Sequence, residues 1–350
     1  MSQFHTLTVK SIVRQTDKAV SITFDVPKSL EYQFAFKAGQ YVTLKAVING
    51  MVIRRDYSLS SSPKSGNLTV TIKEIDKGVF STYANKTLQS GESLGVSVPN
   101  GRFTYTPQSN VGCVVAFAAG SGITPIMSIA RTVLETDNGS DFVLVYGNKN
   151  PEKTIFQKEI MELQALHLER FKIQFVYSES DEEGALFGRI DEGVVNSVLK
   201  DNVDLDQSQL FYLCGPEGMI KTASAVLSDN GVQDARVLFE LFTAPSVAPI
   251  SSVTISDGQA EITILVDDEE TTLMMPQNQT ILEAALENDI DAPYSCQGGV
   301  CSSCICIVTE GSALMRQNNV LTDIEVAEGL VLSCQAEPTS SIIKVDFDDV

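Results

Sequence analysis

The stretch Ser295–Cys306, SCQGGVCSSCIC, holds four of the chain's seven cysteines. Thiols spaced this closely can bind a metal, form disulfides or fill a core, and each alternative predicts a different local fold. The fold of the C-terminal part therefore depends on which alternative the rest of the sequence favours.

The N-terminal segment MSQFHTLTVKSIVRQ has no apolar h-region and no small-residue cleavage site. We therefore expect a cytoplasmic protein. No apolar run approaches the roughly 18–20 residues that cross a bilayer, so we expect no membrane insertion. Because cytosolic thiols are kept reduced, and because seven is an odd number, the cysteines are poor candidates for a disulfide framework.

The spacing of the cysteines favours a metal. Four residues separate Cys296 from Cys301, two separate Cys301 from Cys304, and 29 separate Cys304 from Cys334. This is the spacing of plant-type [2Fe–2S] ligands. A structural zinc site normally has paired C-x2-C or histidine ligands, and the chain has one such pair and only two histidines. We predict these four cysteines as iron ligands and Cys306 as a small buried core residue.

The sequence around these cysteines supports the same interpretation. Gly298 and Gly299 allow the backbone to turn so that N–H groups point towards the sulfurs. The segments PYSCQGGVCSSC and LTDIEVAEGLVLSCQAEP, with a short helix before them, resemble plant-type ferredoxins. The resemblance implies an α+β β-grasp domain with a [2Fe–2S] cluster over residues 255–350.

The first third of the chain consists of short stretches with alternating apolar positions, bounded by Gly, Pro, Ser or Asn. They are HTLTVKSIV, AVSITFDV, QYVTLKAVI, LTVTIKEI and ESLGVSV. Short strands at this spacing predict a barrel or a sandwich.

Within this third, RRDYSLSS contains Arg55, Tyr57 and Ser58. An arginine fork can grip a phosphate, and a tyrosine two residues further along a strand lies on the same face and can stack on a planar ring. Ser58 can hydrogen-bond a ring nitrogen. Gly78 and Ser81 precede a helical turn whose N-terminus suits a pyrophosphate.

Together with PNGRF (99–103), these motifs resemble the flavin domain of the ferredoxin-NADP reductase family. The resemblance implies an antiparallel β-barrel over residues 1–108 that binds FAD, with FMN the less favoured flavin. It also implies that Arg55 and Ser81 hold the pyrophosphate. The isoalloxazine would be surrounded by Tyr57, Ser58, Ile72, Lys73 and Glu74.

The pattern changes at VGCVVAFAAGSGITP (111–125). A continuous apolar strand enters a glycine-rich turn and a helix, and further strands, DFVLVYGN, KIQFVYS and QLFYLCG, alternate with helical segments. This alternation predicts an α/β doubly wound parallel sheet over residues 109–243.

Ligands of such sheets bind at the carboxyl ends of the strands, and a dinucleotide pyrophosphate suits the N-terminus of a helix. Thr124 and Pro125 are predicted as the N-cap and the first residue of that helix. We therefore predict NADH or NADPH at the strand ends, in contact with Gly120, Gly122, Thr124, Tyr146, Asn148, Cys214, Gly215 and Pro216.

The same family resemblance assigns roles near the reacting atoms. It implies that Cys214 aligns the nicotinamide ring near the flavin, although a core role for this cysteine stays open. In FELF, Glu240 and Phe242 are expected near the flavin, so that Ser58, Cys214 and Glu240 form the predicted catalytic set. Glu179 stands where NADPH-preferring relatives have an arginine, which favours NADH. Lys149 could compensate for it.

The charge is unevenly distributed. Residues 1–110 carry 13 Lys and Arg against 7 Asp and Glu, whereas residues 246–350 carry 2 against 18. Without a basic face across the chain we expect no nucleic-acid binding. TAPSVAPISS (243–252) is rich in proline and small residues, and it predicts a linker over residues 244–254.

The order flavin, nicotinamide, ferredoxin resembles the reductase subunits of phenylacetyl-CoA epoxidases and related oxygenases. It implies that electrons pass from NAD(P)H to FAD, to the [2Fe–2S] cluster and then to an oxygenase component or another acceptor protein. Reductases of fatty-acyl desaturases, ring-hydroxylating dioxygenases or cytochromes are the alternatives. A one-electron iron–sulfur carrier with a vestigial flavin half is the alternative that is not an enzyme.

Overall fold

The computed structural model describes residues 4–107, 111–135, 139–203, 209–242 and 258–350. The chain forms two compact units, Phe4–Leu241 and Phe242–Val350. The predicted linker, residues 244–254, lies outside the described residues, as do the positions next to the predicted boundaries at 108 and 243. Those boundaries stay predictions.

The N-terminal part of the first unit is a six-stranded antiparallel sheet in the order β4-β3-β6-β1-β2-β5. Leu7 and Val9 of β1 are buried while Thr8 and Lys10 are exposed, as a period of two requires. The predicted barrel is therefore confirmed as a six-stranded half-barrel. Its elements are β1 Phe4–Thr16, β2 Ala19–Asp25, β3 Tyr41–Ile48, β4 Met51–Ser58, β5 Leu68–Lys73, α1 Val79–Lys86 and β6 Ser93–Ser97.

The second part of this unit is a six-stranded parallel sheet in the order β10-β9-β8-β7-β11-β12. The central strand β7 is buried because helices cover the sheet, and this confirms the predicted α/β class. Its elements are β7 Cys113–Ala119, α2 Ile123–Glu135, β8 Asp141–Asn148, α3 Gln157–Leu166, β9 Phe171–Tyr177, β10 Leu186–Phe187, α4 Glu192–Asn202, β11 Gln209–Cys214, α5 Glu217–Asp229 and β12 Val237–Glu240.

Helix α2 fastens the two sheets of this unit together. The hydroxyl of Ser128 donates to the carbonyl of Ser61 at 2.6 Å, and Nη1 of Arg131 donates to the carbonyl of Ser60 at 2.8 Å. Because the segment 60–62 directly follows β4, these bonds fix the strand that carries the Arg-x-Tyr-Ser motif relative to the helix that begins at the glycine-rich turn.

The second unit contains a five-stranded mixed sheet in the order β14-β13-β19-β15-β17, in which β13 and β19 run parallel. A capping box between Thr280 and Glu283 starts the helix packed against it. This is the predicted ferredoxin fold. Its elements are β13 Gln259–Val266, β14 Glu269–Pro276, α6 Ile281–Glu287, β15 Ile305–Glu310, β16 Ala313–Met315, α7 Asp323–Ala327, β17 Leu330–Leu332, β18 Ala336–Pro338 and β19 Ile342–Asp346. Among the described residues, no helix is long and apolar enough to cross a membrane.

Candidate functional site

Strand β4 presents the first candidate residues for flavin binding. Arg55 is exposed, and among the described residues no carboxylate forms an ion pair with its guanidinium, which donates to the carbonyl of Arg54 at 2.6 Å. Tyr57, two residues on, packs against Phe80 of α1 with ring centroids 5.6 Å apart. A guanidinium without a carboxylate partner and an aromatic ring thus share one face of the barrel, a combination that fits the phosphate and the ring of a flavin nucleotide.

The turn before α1 is crowded at Gly78. A Cβ on Gly78 would lie 2.4 Å from Oγ of Ser81 and 2.5 Å from Cγ1 of Ile75. The Ser81 hydroxyl accepts from the backbone N–H of Ile75 at 3.2 Å and donates to the carbonyl of Gly78 at 3.3 Å. No side chain caps α1, so its first N–H groups are left for an anion.

The three side chains of the segment Ile72–Glu74 lie in different environments. Ile72 is fully buried in the barrel core, and Glu74 forms an ion pair with Lys86 at 2.7 Å. Only Lys73 reaches the parallel sheet, because its Nζ lies 3.4 Å from the position that a Cβ on Gly120 would occupy. Sequence reasoning expected Lys73 at the isoalloxazine, whereas the structure places its ammonium at the glycine-rich turn.

Three further lysines surround this ammonium. Burial lowers the pKa of Lys73, and the positive charges of Lys149, Lys18 and Lys153 lower it further. We call Lys18, Lys73, Lys149 and Lys153 the lysine group. Two of its members have acidic partners, since Lys149 pairs with Glu179 at 2.8 Å and Lys153 pairs with Asp17 at 2.5 Å. The group keeps a surplus of positive charge beside the turn, and this surplus would attract an anionic ligand.

The glycine-rich turn is packed against the end of β11. A Cβ on Gly122 would lie only 2.0 Å from the carbonyl oxygen of Cys214, so no larger residue fits there. Gly120 has a φ of 55°, in the left-handed region, and its carbonyl accepts from the Tyr146 hydroxyl at 3.0 Å. Tyr146 is fully buried, and its hydrogen bond to Gly120 fixes the position of the turn.

The prediction that Thr124 caps α2 is wrong. The helix begins at Ile123, and the Thr124 hydroxyl donates to the carbonyl of Ser121 at 3.1 Å, whereas an N-cap side chain would accept from an N–H group. A turn of 3-10 helix over 120–122 already leads into the helix, so no side-chain cap is required.

The remaining predicted coenzyme residues lie at the ends of β8 and β11. Asn148 is the last residue of β8, and its Nδ2 atom is shielded from solvent with no hydrogen-bond partner among the described residues. A Cβ on Gly215 would approach Cε of Met219 to 2.8 Å, and Pro216 directly precedes α5. The carboxyl ends of β7, β8 and β11 therefore bring the predicted coenzyme residues to one edge of the sheet.

Ser58, Cys214 and Glu240, which the sequence places far apart, come together. The Ser58 hydroxyl donates to Oε2 of Glu240 at 3.4 Å, and Cys214 is the pairing partner of Glu240 across β11 and β12. Burial, reinforced by the charge of Asp56, raises the pKa of Glu240 to about 8. Burial also raises the pKa of the fully buried Cys214 thiol. At neutral pH both groups therefore keep their protons. Phe242, the remaining predicted residue, is exposed and falls in the second unit.

In the second unit, cysteine sulfurs lie close together in the loop after α6. The sulfurs of Cys296 and Cys301 lie 3.1 Å apart, and the backbone N–H of Gly298 donates to the Cys296 sulfur at 3.3 Å. Hydrogen bonds from Cys301 and Cys334 lower the pKa of Cys296, and the backbone N–H groups of Gly298 and Val300 add to this effect. These donors would stabilise a thiolate ligand.

The fourth predicted ligand, Cys334, follows β17 and lies beside the other cysteine sulfurs. Cys334 hydrogen-bonds with Cys296 and Cys304, and these bonds raise its pKa. Nε2 of Gln335 donates to the Cys334 sulfur at 3.6 Å and to the carbonyl of Gln297 at 3.2 Å, which ties the loop to the strand end. The structure therefore brings all four predicted ligands together.

The described residues contain no group of three or more His, Cys, Asp or Glu side chains that could hold a metal ion. A [2Fe–2S] cluster needs no such group, because each iron takes two protein ligands and the sulfides supply the others. The pairwise contacts among the four sulfurs fit this arrangement. Cys306 is fully buried in the core of this unit, as predicted.

Sequence reasoning missed the lysine group and the contact of Gln335 with the cluster loop. Lys18, Lys73 and Lys149 stand on separate strands or turns, and no local motif relates them. Gln335 follows a predicted ligand directly, and that adjacency was the one available signal.

Three family models match successive parts of the chain. They are an oxidoreductase FAD-binding domain at residues 6–105, an oxidoreductase NAD-binding domain at 117–225 and a 2Fe–2S iron–sulfur cluster binding domain at 264–339. The predicted cofactors, FAD, NAD(P)H and a [2Fe–2S] cluster, are thereby confirmed.

Relatives match the full length. The chain is 38% identical over 352 residues to a subunit of the 1,2-phenylacetyl-CoA epoxidase of Escherichia coli K12, covering 99% of each chain. It is 33% identical to the ferredoxin reductase component of 3-ketosteroid-9-alpha-monooxygenase of Rhodococcus rhodochrous, covering 97% of this chain and 96% of the relative.

Among solved structures, phthalate dioxygenase reductase matches with a TM-score of 0.62 and 24% identity, covering 98% of both chains, and supports the fold. An intact self-sufficient cytochrome P450 monooxygenase matches with a TM-score of 0.71 and 22% identity, covering 98% of this chain and 41% of that one. The chain therefore belongs to the family of NAD(P)H-dependent reductase components of multicomponent monooxygenases, which carry FAD and a [2Fe–2S] cluster.

Proposed function

We propose that this reductase serves a phenylacetyl-CoA epoxidase or a closely related multicomponent monooxygenase. The observation that carries the proposal is the match to an epoxidase subunit over 99% of both chains. The match to a 3-ketosteroid monooxygenase component is weaker in identity, at 33%, and makes that class of oxygenase the second candidate.

In this proposal the flavin is held by residues of β4 and α1. Arg55, whose guanidinium has no carboxylate partner among the described residues, and the uncapped N-terminus of α1 bind the pyrophosphate. Ser81 shapes that N-terminus through its bonds to Ile75 and Gly78. Tyr57 stacks on the ring, and Ser58 provides a hydroxyl at the end of the strand.

The coenzyme would bind at the glycine-rich turn, where the lysine group offers positive charge for its pyrophosphate. Lys73 is the member closest to the turn and has no ion-pair partner among the described residues. Glu179 would accept a hydrogen bond from the ribose 2′-hydroxyl and would repel a 2′-phosphate, so NADH is favoured. Its ion pair with Lys149 holds the carboxylate in place.

FAD, when bound, would supply the conversion between two-electron hydride donation by NAD(P)H and one-electron transfer to the cluster. The chain's own contribution is placement and proton control. Glu240 retains its proton at neutral pH and shares a hydrogen bond with Ser58, so this pair can hold a proton at the flavin edge. Cys214 lies beside Glu240 on the neighbouring strand and belongs to the hydrophobic core of this unit.

The cluster ligands in this proposal are Cys296, Cys301, Cys304 and Cys334. The N–H of Gly298 and the amide of Gln335 would donate to the ligand sulfurs. A cytoplasmic location is part of the proposal, since thiols are kept reduced there and the four ligand cysteines would stay available for the cluster.

The client is tested by reconstitution with purified oxygenase subunits of a phenylacetyl-CoA epoxidase. The proposal expects NAD(P)H oxidation that depends on phenylacetyl-CoA, on the oxygenase and on this chain, and expects the Cys334→Ser protein to support none. Turnover with steroid monooxygenase subunits but none with the epoxidase would transfer the assignment to the second candidate.

A further inference from the structure

Ser333, immediately before Cys334, carries a hydroxyl that lacks an obvious role. Its side chain is 0% exposed, and among the described residues Oγ has no hydrogen-bond partner of normal geometry. A buried hydroxyl without a partner costs free energy, so such groups in native proteins generally have an acceptor nearby.

The strand register identifies the neighbour of this hydroxyl. Strands β15 and β17 pair antiparallel with Ile305 opposite Leu332, so the next pair outward is Cys304 and Ser333. The backbone N–H of Ser333 donates to the carbonyl of Cys304 at 2.9 Å, as that register requires. Residues directly opposite in antiparallel strands project to the same face with Cβ atoms about 4.5–5.5 Å apart. The hydroxyl and the Cys304 sulfur are therefore side-chain neighbours.

The surroundings of this hydroxyl are buried. Cys304 is 1% exposed, so water has little access, and the carbonyl of Ser333 already accepts from the N–H of Leu282 at 3.1 Å. A hydroxyl that donates to this sulfur would stabilise negative charge on it.

We propose that the Ser333 hydroxyl donates a hydrogen bond to the iron-bound sulfur of Cys304 and so raises the reduction potential of the cluster. This rests on the proposed set of four cysteine ligands. Reduction adds one electron, supplied by NAD(P)H through the flavin, and breaks no bond. Because the cluster becomes more negative and shares that charge with its cysteine sulfurs, a donor stabilises the reduced state more than the oxidised one.

The test compares Ser333→Ala with Ser333→Thr in the full-length holoprotein, by spectroelectrochemical titration of the cluster. The alanine protein should show about a tenfold smaller equilibrium constant for reduction, which is about 59 mV more negative for one electron. The threonine protein keeps a hydroxyl and should stay close to the wild type. Cys306→Ala is the matched packing control, because it also removes a buried polar atom from the same core, and it should change the potential much less.

Iron and sulfide analysis separates this proposal from the proposed function. A wild-type protein without a cluster would overturn the ligand assignment itself. A fully loaded Ser333→Ala protein with the wild-type potential would overturn the role of the hydroxyl, as would equal shifts in the alanine and threonine proteins. If alanine prevents loading, Ser333→Gly takes its place in the titration. If neither the alanine nor the glycine protein takes up the cluster while the threonine protein does, the hydroxyl has a role in cluster assembly. That result would also overturn the proposal.

Discussion

Glu240 shows how a single residue acquires its chemistry from the fold. The sequence places it in a short strand, and the structure adds Ser58 at 3.4 Å, Cys214 on the adjacent strand and the charge of Asp56. Burial then raises its pKa to about 8. A carboxyl that keeps its proton at neutral pH can donate as well as accept, and a position beside the proposed flavin site makes that property useful.

The raised pKa predicts a pH dependence of stability. Below about pH 4.5 the carboxyl is protonated in both the folded and the unfolded chain. As the pH rises towards about 8 the unfolded chain loses this proton while the folded chain keeps it, so the free energy of unfolding falls. Glu240→Gln should abolish this contribution. In the Glu240→Gln protein the decrease in Tm between pH 5 and pH 8 should therefore be smaller than in the wild type, by about 2–4 °C for each kcal/mol that this contribution supplies.

Glu31→Gln, an exposed glutamate of the same unit, is the control for that experiment and should keep the wild-type dependence. Identical pH profiles for the wild type and the Glu240→Gln protein would show that Glu240 titrates normally and would remove the proposed proton-holding role.

A second prediction for a single residue concerns Lys73. Its ammonium lies at the Gly120 turn, so Lys73→Gln should raise KM for NAD(P)H about tenfold, a loss of about 1.4 kcal/mol, with kcat little changed. Lys64→Gln, an exposed lysine of the barrel, should leave KM unaltered. The difference should shrink at high salt, since screening weakens the attraction. A fall in kcat at constant KM would instead place Lys73 at the flavin, where sequence reasoning put it.

The glycine-rich turn between β7 and α2 is the element that decides whether a dinucleotide can approach. Its backbone packs so closely on β11 that Gly122 and the Cys214 carbonyl leave no room for a Cβ. The same close packing fixes where α2 begins at the edge of the sheet, so packing and the proposed coenzyme binding depend on one contact.

Gly122→Ala should therefore lower the free energy of unfolding by about 1–3 kcal/mol and weaken coenzyme binding. Gly218→Ala in α5 is the matched control, because a Cβ there meets nothing within 4 Å. Its stability should be unchanged or slightly higher, since alanine favours helix. Thermal unfolding and titration of bound flavin with NAD+ measure both effects. Equal behaviour of the two variants would contradict the close approach described for Gly122.

Sequence patterns predicted these elements well wherever periodicity was strong. Strand β8 has the predicted bounds, 141–148, and the apolar core of β7 lies where its unbroken run of apolar residues indicates. The start of α2 was misplaced because a 3-10 turn replaces the side-chain cap. The lysine group and the Cys304–Ser333 pair could not be predicted, because each depends on the register of segments distant in sequence.

For the whole molecule, family motifs in the sequence were sufficient to predict three cofactor-binding parts in order. The half-barrel and the parallel sheet form one compact unit, and the residues of the ferredoxin fold form the other. Electron transfer then requires that each part hold its own cofactor, and the residues proposed for each are now defined. The acidic balance of residues 246–350, with 2 basic against 18 acidic side chains, makes a basic surface on the oxygenase a natural complement.

The most direct test is an anaerobic titration of the purified holoprotein with NADH or NADPH, followed by absorption and electron paramagnetic resonance. The account predicts that the coenzyme bleaches the flavin and produces the resonance of a reduced [2Fe–2S] cluster in the same protein. Cys334→Ser should keep the flavin bleaching and lose the resonance. A protein without flavin absorption, or one whose cluster stays oxidised after its flavin is reduced, would contradict the account.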